Sequence, residues 1–286
     1  MTTAARRVLL VGCGSLGTSL GERLVDRGIR ITALRRNVET LPQTFDRVAA
    51  DLGAPLDAAL PGVDAMVVTL PPPAEGYETV LTHLADALPV VPARVVFVSS
   101  TRVFEGLAGE RPITEADDPQ PASPRARDIR QGELAAQRLF DALIVRPAGI
   151  YGPGRDSLVR RVRAGTPVAH ARRTNRIHEH DLVSILDRML HEPTPPAVLH
   201  AVDRAPAPLG DVVRHVAARL GVPVPPDTAE ADTGEADTAE TDAGGTVLDG
   251  TAAAALLSRY AFPDFASGYD DLIERLDGAG RPSDLA

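Results

Sequence analysis

The glycine-rich segment G-C-G-S-L-G at residues 12–17 constrains the fold more than any other feature of the sequence. It follows a short apolar run, VLLV at 8–11, and precedes a helical pattern. Glycines at this spacing allow a tight turn at Gly12, a close approach of the backbone to a ligand at Gly14, and close packing of a helix on a strand at Gly17. The N–H groups at the start of the helix suit an anion. The segment therefore predicts the strand, pyrophosphate-binding turn and helix of a dinucleotide-binding fold, with a glycine turn that binds nothing as the alternative.

Apolar strands and amphipathic helices alternate through the first half of the chain. The predicted strands are 8–11, 31–34, 47–50, 65–70, 94–99 and 142–146, and the predicted helices are 15–27, 77–88 and 127–139. Continuous apolar strands that alternate with helices are typical of a parallel sheet buried between two helical layers. We therefore predict an α/β fold, a Rossmann-type doubly wound parallel sheet, with an NAD(P)-binding domain over residues 1–150.

The second half is less regular, and we predict a smaller, irregular substrate-binding lobe over residues 151–286. Its predicted elements are helices at 156–164, 181–191, 209–220, 251–259 and 267–277 and strands at 197–202 and 246–248. The strand at 197–202 is expected to return to the sheet. The rest is expected to pack against the carboxyl edge of the sheet.

Charge and composition exclude several classes of protein. Seven acidic residues and no basic ones lie in 227–245, so most of the net charge of −9 belongs to that low-complexity segment, which we expect to be a disordered insert. The remaining balance gives no support to nucleic-acid binding. The single cysteine, Cys13, excludes an internal disulfide and a cysteine-based zinc site. No apolar run reaches the ~20 residues of a membrane span, and the N-terminal apolar run stops at a glycine turn, so we expect a cytoplasmic protein without a signal peptide.

The end of the second predicted strand bears on the choice of cofactor. NAD-binding folds place a carboxylate there for the ribose hydroxyls, whereas NADP-binding folds place arginine near the 2′-phosphate. This chain has Arg35 and Arg36 and no acid at that point. Two arginines suit a phosphate through charge-assisted hydrogen bonds, so we predict NADP(H) in preference to NAD(H). The alternative is that both are exposed surface charges.

The chain resembles the extended short-chain dehydrogenases/reductases, also called the NAD-dependent epimerase/dehydratase family. The likeness covers almost the whole chain, is most specific in RPAGIYGPGR at 146–155, and is closest to a bacterial subgroup of atypical members with the same arginine-rich end of the second strand. The other segments that carry it are GCGSLG (12–17), Asp51-Leu52, VFVSSTRVF (96–104), EADDP (115–119), IHEHDL (177–182) and VLHAVD (198–203).

The resemblance implies a set of cofactor-binding residues. It implies that the pyrophosphate is held at the glycine turn, the adenine and a ribose along the next two strand ends, and the nicotinamide beyond them. The residues implied are Gly12, Gly14, Ser15, Leu16 and Gly17 for the pyrophosphate, Asp51 and Leu52 for the adenine, Thr69, Leu70 and Pro71 for the ribose, Pro147 and Ile150 for the nicotinamide, and Ser99 beside them.

The residues that carry out the family's proton chemistry are not all present. The family uses a serine or threonine, a tyrosine and a lysine, and Ser100 matches the first. Glu133 fixes the register of the helix that should carry the other two, which puts Arg125 at the tyrosine position and Ile129 at the lysine position. Arginine stays charged and cannot replace the tyrosine as proton donor. Thr101 and Arg102 stand where the family's dehydratases carry an acidic pair, which argues against sugar dehydration.

Several residues are candidates for the missing role. The candidate catalytic residues are Ser100, Tyr151 and His178, with Glu105 as a further candidate acid. Arg125 is a candidate of another kind, which would orient an anionic substrate rather than move a proton. The alternative for Tyr151 is a role in packing. The alternative for His178 is a position just before a helix that we expect Asp181 to cap. We predict no metal, because the H-E-H-D run at 178–181 would need a further ligand and a pocket.

The segment that should cover the substrate is rich in arginine. The residues are Arg155, Arg160, Arg161, Arg163, Arg172, Arg173 and Arg176. They suit a substrate carboxylate or phosphate, or else form a solvated helix face with a basic loop. The predicted function is that of an NADP-dependent oxidoreductase or epimerase with a non-standard proton donor, acting on a small polar or anionic substrate. A catalytically silent NADP(H)-binding sensor or scaffold is the alternative. The resemblance implies pairing through the helices at 77–88 and 127–139, so a homodimer and a monomer are both open. Nucleic-acid and membrane partners are not expected.

Overall fold

The computed structural model describes residues 5–107, 111–228 and 245–279 and shows in them a seven-stranded parallel sheet. In chain order its strands are β1 (Arg7–Val11), β2 (Arg30–Arg35), β3 (Asp46–Ala49), β4 (Ala65–Val68), β5 (Arg94–Val98), β6 (Leu143–Pro147) and β10 (Val198–Ala201). Their order across the sheet is β10-β6-β5-β4-β1-β2-β3, and every neighbouring pair is parallel. The predicted doubly wound α/β fold is confirmed.

Helices cover both faces of this sheet. Helices α1 (Ser15–Asp26), α5 (Glu179–His191) and α7 (Thr251–Leu257) pack on one face, and α2 (Tyr77–Ala87) and α3 (Pro124–Phe140) pack on the other. Every residue of the central strand β4 is fully buried, and its neighbours β1 and β5 are buried except at their ends. Apolar side chains on both faces of the strands therefore stabilise two separate layers.

The remaining elements form a lobe beside the carboxyl ends of the strands. Its helices α4 (Ser157–Arg163), α6 (Leu209–Leu220) and α8 (Phe265–Ala279) share a third apolar cluster. Two short strand pairs hold its loops: β7 (Gly149–Tyr151) with β9 (Arg176–His178), and β8 (Arg173–Thr174) with β11 (Ala207–Pro208). Because α5 and β10 return to the layers of the sheet, the lobe is interrupted in sequence; the division at residue 150 stays a prediction.

The structure corrects several local predictions. Helix α5 begins at Glu179 with His178 as its N-cap, so the prediction that Asp181 caps this helix is wrong. His178 Nδ1 accepts from the backbone N–H of His180 at 3.2 Å, while the Asp181 carboxylate accepts from two backbone N–H groups of the loop at 261–262. The predicted strand at 246–248 is wrong as well, because the described residues there make a single bridge, Leu248 to Ile113.

The predicted disordered insert at 227–245 lies almost wholly outside the described residues. Its first residue, Asp227, bridges to Val168, and Gly245 resumes the described chain. Among the helices of the described ranges, none is long and apolar enough to cross a membrane.

Candidate active site

Three cavities formed by described residues follow one another along the carboxyl ends of the strands. The β2 cavity, about 560 Å³, lies beside the ends of β2 and β3. The central cavity, about 580 Å³, extends from the glycine turn to the ends of β5 and β6. The lobe cavity, about 240 Å³, lies between the sheet and the lobe. The β2 and central cavities share Gly12, Gly14 and Leu70, and the central and lobe cavities share Ser100 and Arg155.

The glycine turn connects the first two cavities and fits a pyrophosphate. Gly12 has φ +75°, and a Cβ there would lie 2.7 Å from the Leu70 side chain. Gly14 is the N-cap of α1 and has no side chain to occupy the N–H groups of the first turn. A Cβ at Gly17 would lie 3.3 Å from Cys13 Sγ, so helix and turn are in close contact. This leaves a concave backbone surface with the positive end of α1 facing the groove, as anion binding requires.

The β2 cavity holds the residues expected at the adenosine end. It is lined by Arg35, Arg36, Asn37, Asp51 and Leu52, together with the proline segment at 71–73. Arg35 Nη1 donates to the Cys13 carbonyl at 3.1 Å, so one guanidinium is held against the glycine turn. Arg36 is exposed at the rim. Asp51 accepts from Gly53 N–H at 3.0 Å, which stabilises the turn after β3.

The central cavity brings together the predicted nicotinamide end and the α3 positions in question. Its lining includes Ser99, Ser100, Arg125, Ile129, Pro147 and Ile150, as well as Ser15, Leu16, Gly17, Thr69 and Pro71. Arg125 is exposed and Ile129 is buried in the wall. The register set by Glu133 therefore puts both α3 side chains in this cavity.

Glu133 fixes that register through a buried network. Its carboxylate accepts from Arg146 at 2.8 and 2.9 Å, from Ser99 Oγ at 2.6 Å and from Arg130 at 2.6 Å. Burial by itself raises the pKa of Glu133, but these donors, Arg146 foremost, hold it below its ordinary value. The network ties α3 to β6 through Arg146 and to the end of β5 through Ser99.

Ser100 marks the boundary between the central and lobe cavities. It is the N-cap of a 3-10 helix, Thr101–Phe104, and its Oγ accepts from Arg102 N–H at 3.2 Å. Its own hydroxyl proton is available to a ligand in either cavity, because this contact uses only a lone pair of the oxygen.

Tyr151 and His178 both lie in a packed environment, although Tyr151 also lines the lobe cavity. The Tyr151 ring stacks on Tyr269 at 4.6 Å, and its hydroxyl donates to the Asp264 carbonyl at 3.3 Å. Burial raises the pKa of Tyr151 far above its ordinary value. His178 is 2% exposed, lies against Phe262 and is absent from the described lining of the three cavities. Burial lowers its pKa and so favours the neutral ring.

No group of three or more His, Cys, Asp or Glu side chains within the described ranges is arranged to hold a metal ion.

Glu105, the other candidate acid, pairs with Arg102 at 2.6 Å and accepts from Ser123 N–H at 3.1 Å. Burial raises the pKa of Glu105, but these donors outweigh it and keep the pKa below its ordinary value. Glu105 is therefore a carboxylate that positions Arg102 rather than a protonated acid.

The lobe cavity gathers part of the predicted arginine-rich segment. Four of its described lining residues are arginines: Arg102, Arg155, Arg172 and Arg176. Arg155 is held by Glu179 at 2.8 Å, and Thr174 and Asn175 add polar side chains. By contrast, Arg160 and Arg163 face outward and form exposed ion pairs with Asp156 and Asp277. The predicted segment thus divides between a cavity wall and a solvated helix face.

Residues that the sequence did not assign to the site include two that line the cavities and one that supports them. Tyr77 lines the central cavity from α2, Arg102 lines both the central and lobe cavities, and Glu179 joins Arg155 to the hydroxyls of Ser15 and Ser19 on α1. The sequence held one signal for Arg102, its place directly after the serine strand. Glu179 is far in sequence from Ser15 and Ser19, so no local pattern joins them. Tyr77 is close in sequence to Leu70, but the loop between them has no regular pattern that predicts the contact.

Comparisons with known proteins agree with this geometry. Residues 77–195 match the family model of the RmlD substrate binding domain. No curated protein matches the sequence.

Solved structures are similar over nearly the whole chain. A Methylobacillus flagellatus protein assigned to the NAD-dependent epimerases/dehydratases has a TM-score of 0.75 at 24% identity, covering 96% of this chain and 100% of that one. A conserved Silicibacter pomeroyi protein of unknown function has a TM-score of 0.78 at 23% identity, covering 94% and 98%. The human epimerase family protein with NADPH has a TM-score of 0.73 at 22% identity, covering 94% and 99%. The chain therefore has the Rossmann-like α/β fold of the NAD-dependent epimerases/dehydratases, as its resemblance to that family predicted, and its residues 77–195 match the RmlD substrate-binding domain.

Proposed function

We propose that the protein is an NADP(H)-dependent oxidoreductase or epimerase that acts on a small anionic carbonyl or hydroxyl compound. The observation that carries this proposal is the continuous groove from the phosphate-binding turn, past Ser100, into an arginine-lined cavity. A dinucleotide fold with a second polar pocket at the nicotinamide end is the arrangement that hydride-transfer enzymes need.

The cofactor preference rests on the β2 cavity. Solved structures similar to this chain hold NAD or NADPH, which supports a nicotinamide cofactor of either kind. Arg35 and Arg36 line the cavity where the adenosine ribose would lie, and a 2′-phosphate there would meet two cations. Asp51 does not replace the missing acid of β2, because it follows β3 and accepts from its own turn. When bound, the nicotinamide group supplies or accepts a hydride.

The substrate class rests on the lobe cavity. Arginine stays charged at any working pH, and a guanidinium fork matches a carboxylate or phosphate. Arg102 and Arg155 are each paired with one carboxylate, whereas no ion pair to Arg176 occurs among the described residues. The volume of about 240 Å³ falls below the ~300–1,000 Å³ of pockets for drug-sized ligands, which favours a small molecule.

We assign the proton chemistry to residues that line the central cavity. Ser100 donates a hydrogen bond to the substrate oxygen, and Arg125 stabilises negative charge that develops on it. Because Arg125 cannot release a proton and is exposed, water at the cavity mouth supplies or removes the proton. Tyr151 and His178 are assigned to packing, since the first is tied to Asp264 and the second lies outside the cavity lining.

A second candidate function is a nicotinamide-dependent sensor or scaffold without turnover. It is favoured by one observation: Arg125 and Ile129 stand in the cavity where the related enzymes carry a proton donor and its lysine. A cytoplasmic location and dimerisation through α2 and α3 stay predictions. Leu134, an apolar residue of α3 that is 43% exposed, supports the second of these.

Two measurements on the purified protein test these functions. NADPH binding is measured by titration of the emission of the reduced nicotinamide, because the chain has no Trp whose quenching could report binding. Loss of NADPH absorbance is then followed with keto acids, phosphorylated ketoses and their neutral analogues. Turnover of an anionic compound supports the enzyme; binding of NADPH without turnover of any member of the panel supports the sensor; and a protein that binds neither NADPH nor NADH contradicts both.

A further inference from the structure

The replacement of lysine by Ile129 removes a contact as well as a charge. Ile129 is 6% exposed and presents only hydrocarbon to the central cavity. Ribose hydroxyls placed against it would lose hydrogen bonds to water without gaining new ones, which costs free energy. A dinucleotide with its adenosine in the β2 cavity would place its second ribose in the central cavity, which Leu70 and Pro71 line. A polar side chain is therefore needed near this wall.

Tyr77 is the side chain that meets this need. It is the first residue of α2, is 4% exposed and lines the central cavity together with Ile129. Its hydroxyl donates to the Leu70 carbonyl at 2.7 Å, which fixes the oxygen beside the segment that lines the ribose. The ring packs edge-on against Phe97 at 5.4 Å, so its position is set on the sheet side as well.

Gly132 on α3 makes room for this ring. A Cβ at residue 132 would lie 2.7 Å from Tyr77 Cδ2, closer than real Cβ contacts. Gly132 has an ordinary helical backbone, so its φ does not require glycine. Glycine is required because the Tyr77 ring leaves no space for a Cβ. Glycine in a helix interior costs about 1 kcal/mol relative to alanine. The helix that lacks the lysine thus accepts a less favourable residue one turn later, where Tyr77 packs.

The hydroxyl has hydrogen-bonding capacity left. A phenol donates one hydrogen bond and accepts others, and here the donor is used by Leu70. Burial raises the pKa of Tyr77, so the group stays a neutral phenol. A neutral, fixed oxygen with free lone pairs complements a ligand hydroxyl that donates.

We propose that the Tyr77 hydroxyl accepts a hydrogen bond from a hydroxyl of the nicotinamide-side ribose, and so supplies from α2 a ribose contact that Ile129 on α3 cannot make. This inference rests on the proposed binding of a nicotinamide dinucleotide. It does not depend on turnover, and it holds for an enzyme and for a sensor alike. Tyr77 is a binding residue in this role and moves no proton.

The test uses two ligands that differ at that ribose. Tyr77→Phe removes the hydroxyl and keeps the ring. The dissociation constant of NADPH is expected to rise about three- to tenfold, the effect of one hydrogen bond. The dissociation constant of 2′,5′-ADP, which has the adenosine end but no second ribose, is expected to stay unchanged. Tyr260→Phe is the matched control, because the buried Tyr260 hydroxyl also donates to a backbone carbonyl, that of Val202, away from the three cavities.

A second variant approaches the same contact from α3. Gly132→Ala displaces the Tyr77 ring without removing its hydroxyl, and the same selective loss of NADPH affinity is expected. Unchanged NADPH affinity in Tyr77→Phe overturns the inference, as does an equal loss for both ligands, which indicates a structural role. If the native protein binds neither NADPH nor NADH, the proposed function fails first. Melting temperatures of all variants identify any that are unfolded.

Discussion

A single carboxylate, Glu133, decides where the functional side chains of α3 point. It is fully buried and accepts hydrogen bonds from Ser99, Arg130 and Arg146. Arg146 is itself buried. Taking such charges out of water is costly unless each is paired, and here the geometry is good on both carboxylate oxygens. Because Glu133 lies one and two turns after Ile129 and Arg125, its fixed position orients both toward the central cavity.

Glu133→Gln is expected to destabilise the protein by about 3 kcal/mol, because it leaves the Arg146 charge buried without its counter-ion. The folded-state pKa of Glu133 is lowered, so its contribution is present above its unfolded value near 4.5 and is lost as the pH falls through the folded value. Urea unfolding at pH 7 and at pH 4 measures both effects. The difference in the free energy of unfolding between the native protein and the variant should be smaller at pH 4 than at pH 7. An equal difference at both pH values contradicts a stabilising role for the ionised Glu133 carboxylate.

At the same scale, the proposed preference for NADP(H) rests on Arg35 and Arg36. The double change Arg35→Ala and Arg36→Ala is expected to weaken NADPH binding tenfold or more, by roughly 1.5–3 kcal/mol for hydrogen bonds to a charged group, and to leave NADH binding nearly unchanged. Titration of both nucleotides checks this. Arg30→Ala is the control, because Arg30 is an exposed arginine at the other end of β2. Equal affinities of the double variant and the native protein for NADPH would falsify the proposed preference.

At the scale of elements, the start of α5 joins the lobe to the glycine turn. Glu179 accepts from Ser15 at 3.2 Å and Ser19 at 3.0 Å on α1, and from Arg155 at 2.8 Å on the loop after β7. Arg155 lines both the central and lobe cavities. The network therefore connects the glycine turn with the lobe cavity, which we propose for the substrate.

Glu179→Gln is expected to loosen this connection. The glutamine keeps one acceptor for the serines but no longer neutralises Arg155, which gains freedom to contact phosphate oxygens in the central cavity. We expect NADPH to bind somewhat more tightly, with a lower melting temperature because a half-exposed ion pair and its hydrogen bonds are lost. Titration and thermal unfolding measure the two. Weaker NADPH binding would instead show that Glu179 acts by orienting Ser15. Arg160→Gln, which breaks an exposed ion pair on the outer face of α4, serves as the control for general effects of charge.

The sequence predicted the sheet well because each strand is a short apolar run between glycine, proline or helix signals. The glycine turn and the register of α3 followed from local spacing for the same reason. The N-cap of α5 did not: Asp181 is a good capping residue, yet its carboxylate binds the distant loop at 261–262, and His178 caps instead. Tyr77 and Gly132 meet only through the packing of α2 on α3, which no spacing along the chain encodes. Contacts between elements, not within them, are what sequence reasoning missed.

At the scale of the whole molecule, the charge of each cavity suits the part of the ligand that we propose for it. Cations gather at the two ends, Arg35 and Arg36 in the β2 cavity and four arginines in the described lining of the lobe cavity. The central cavity has helix N–H groups, hydroxyls and apolar side chains, with Arg125 at its exposed edge and Arg102 and Arg155 at the border that it shares with the lobe cavity. This distribution suits a ligand pair with a phosphate at one end, a carboxylate or phosphate at the other, and reacting carbon atoms between them.

This distribution of charge predicts that the protein discriminates between charged and neutral substrates, which neither end of the groove explains alone. A keto acid and its methyl ester differ by one charge and little in shape, so the ratio of their kcat/KM values isolates the contribution of the lobe cavity. Arg176→Gln is expected to lower kcat/KM for the acid about 10- to 100-fold, the loss of a charge-assisted contact, while the ester changes little. Because Arg176 is buried and distant from the β2 cavity, NADPH affinity should stay constant. A parallel loss for acid and ester would mean that Arg176 only supports the lobe, whose β9 it begins, and the anion would then have to be bound elsewhere in the groove.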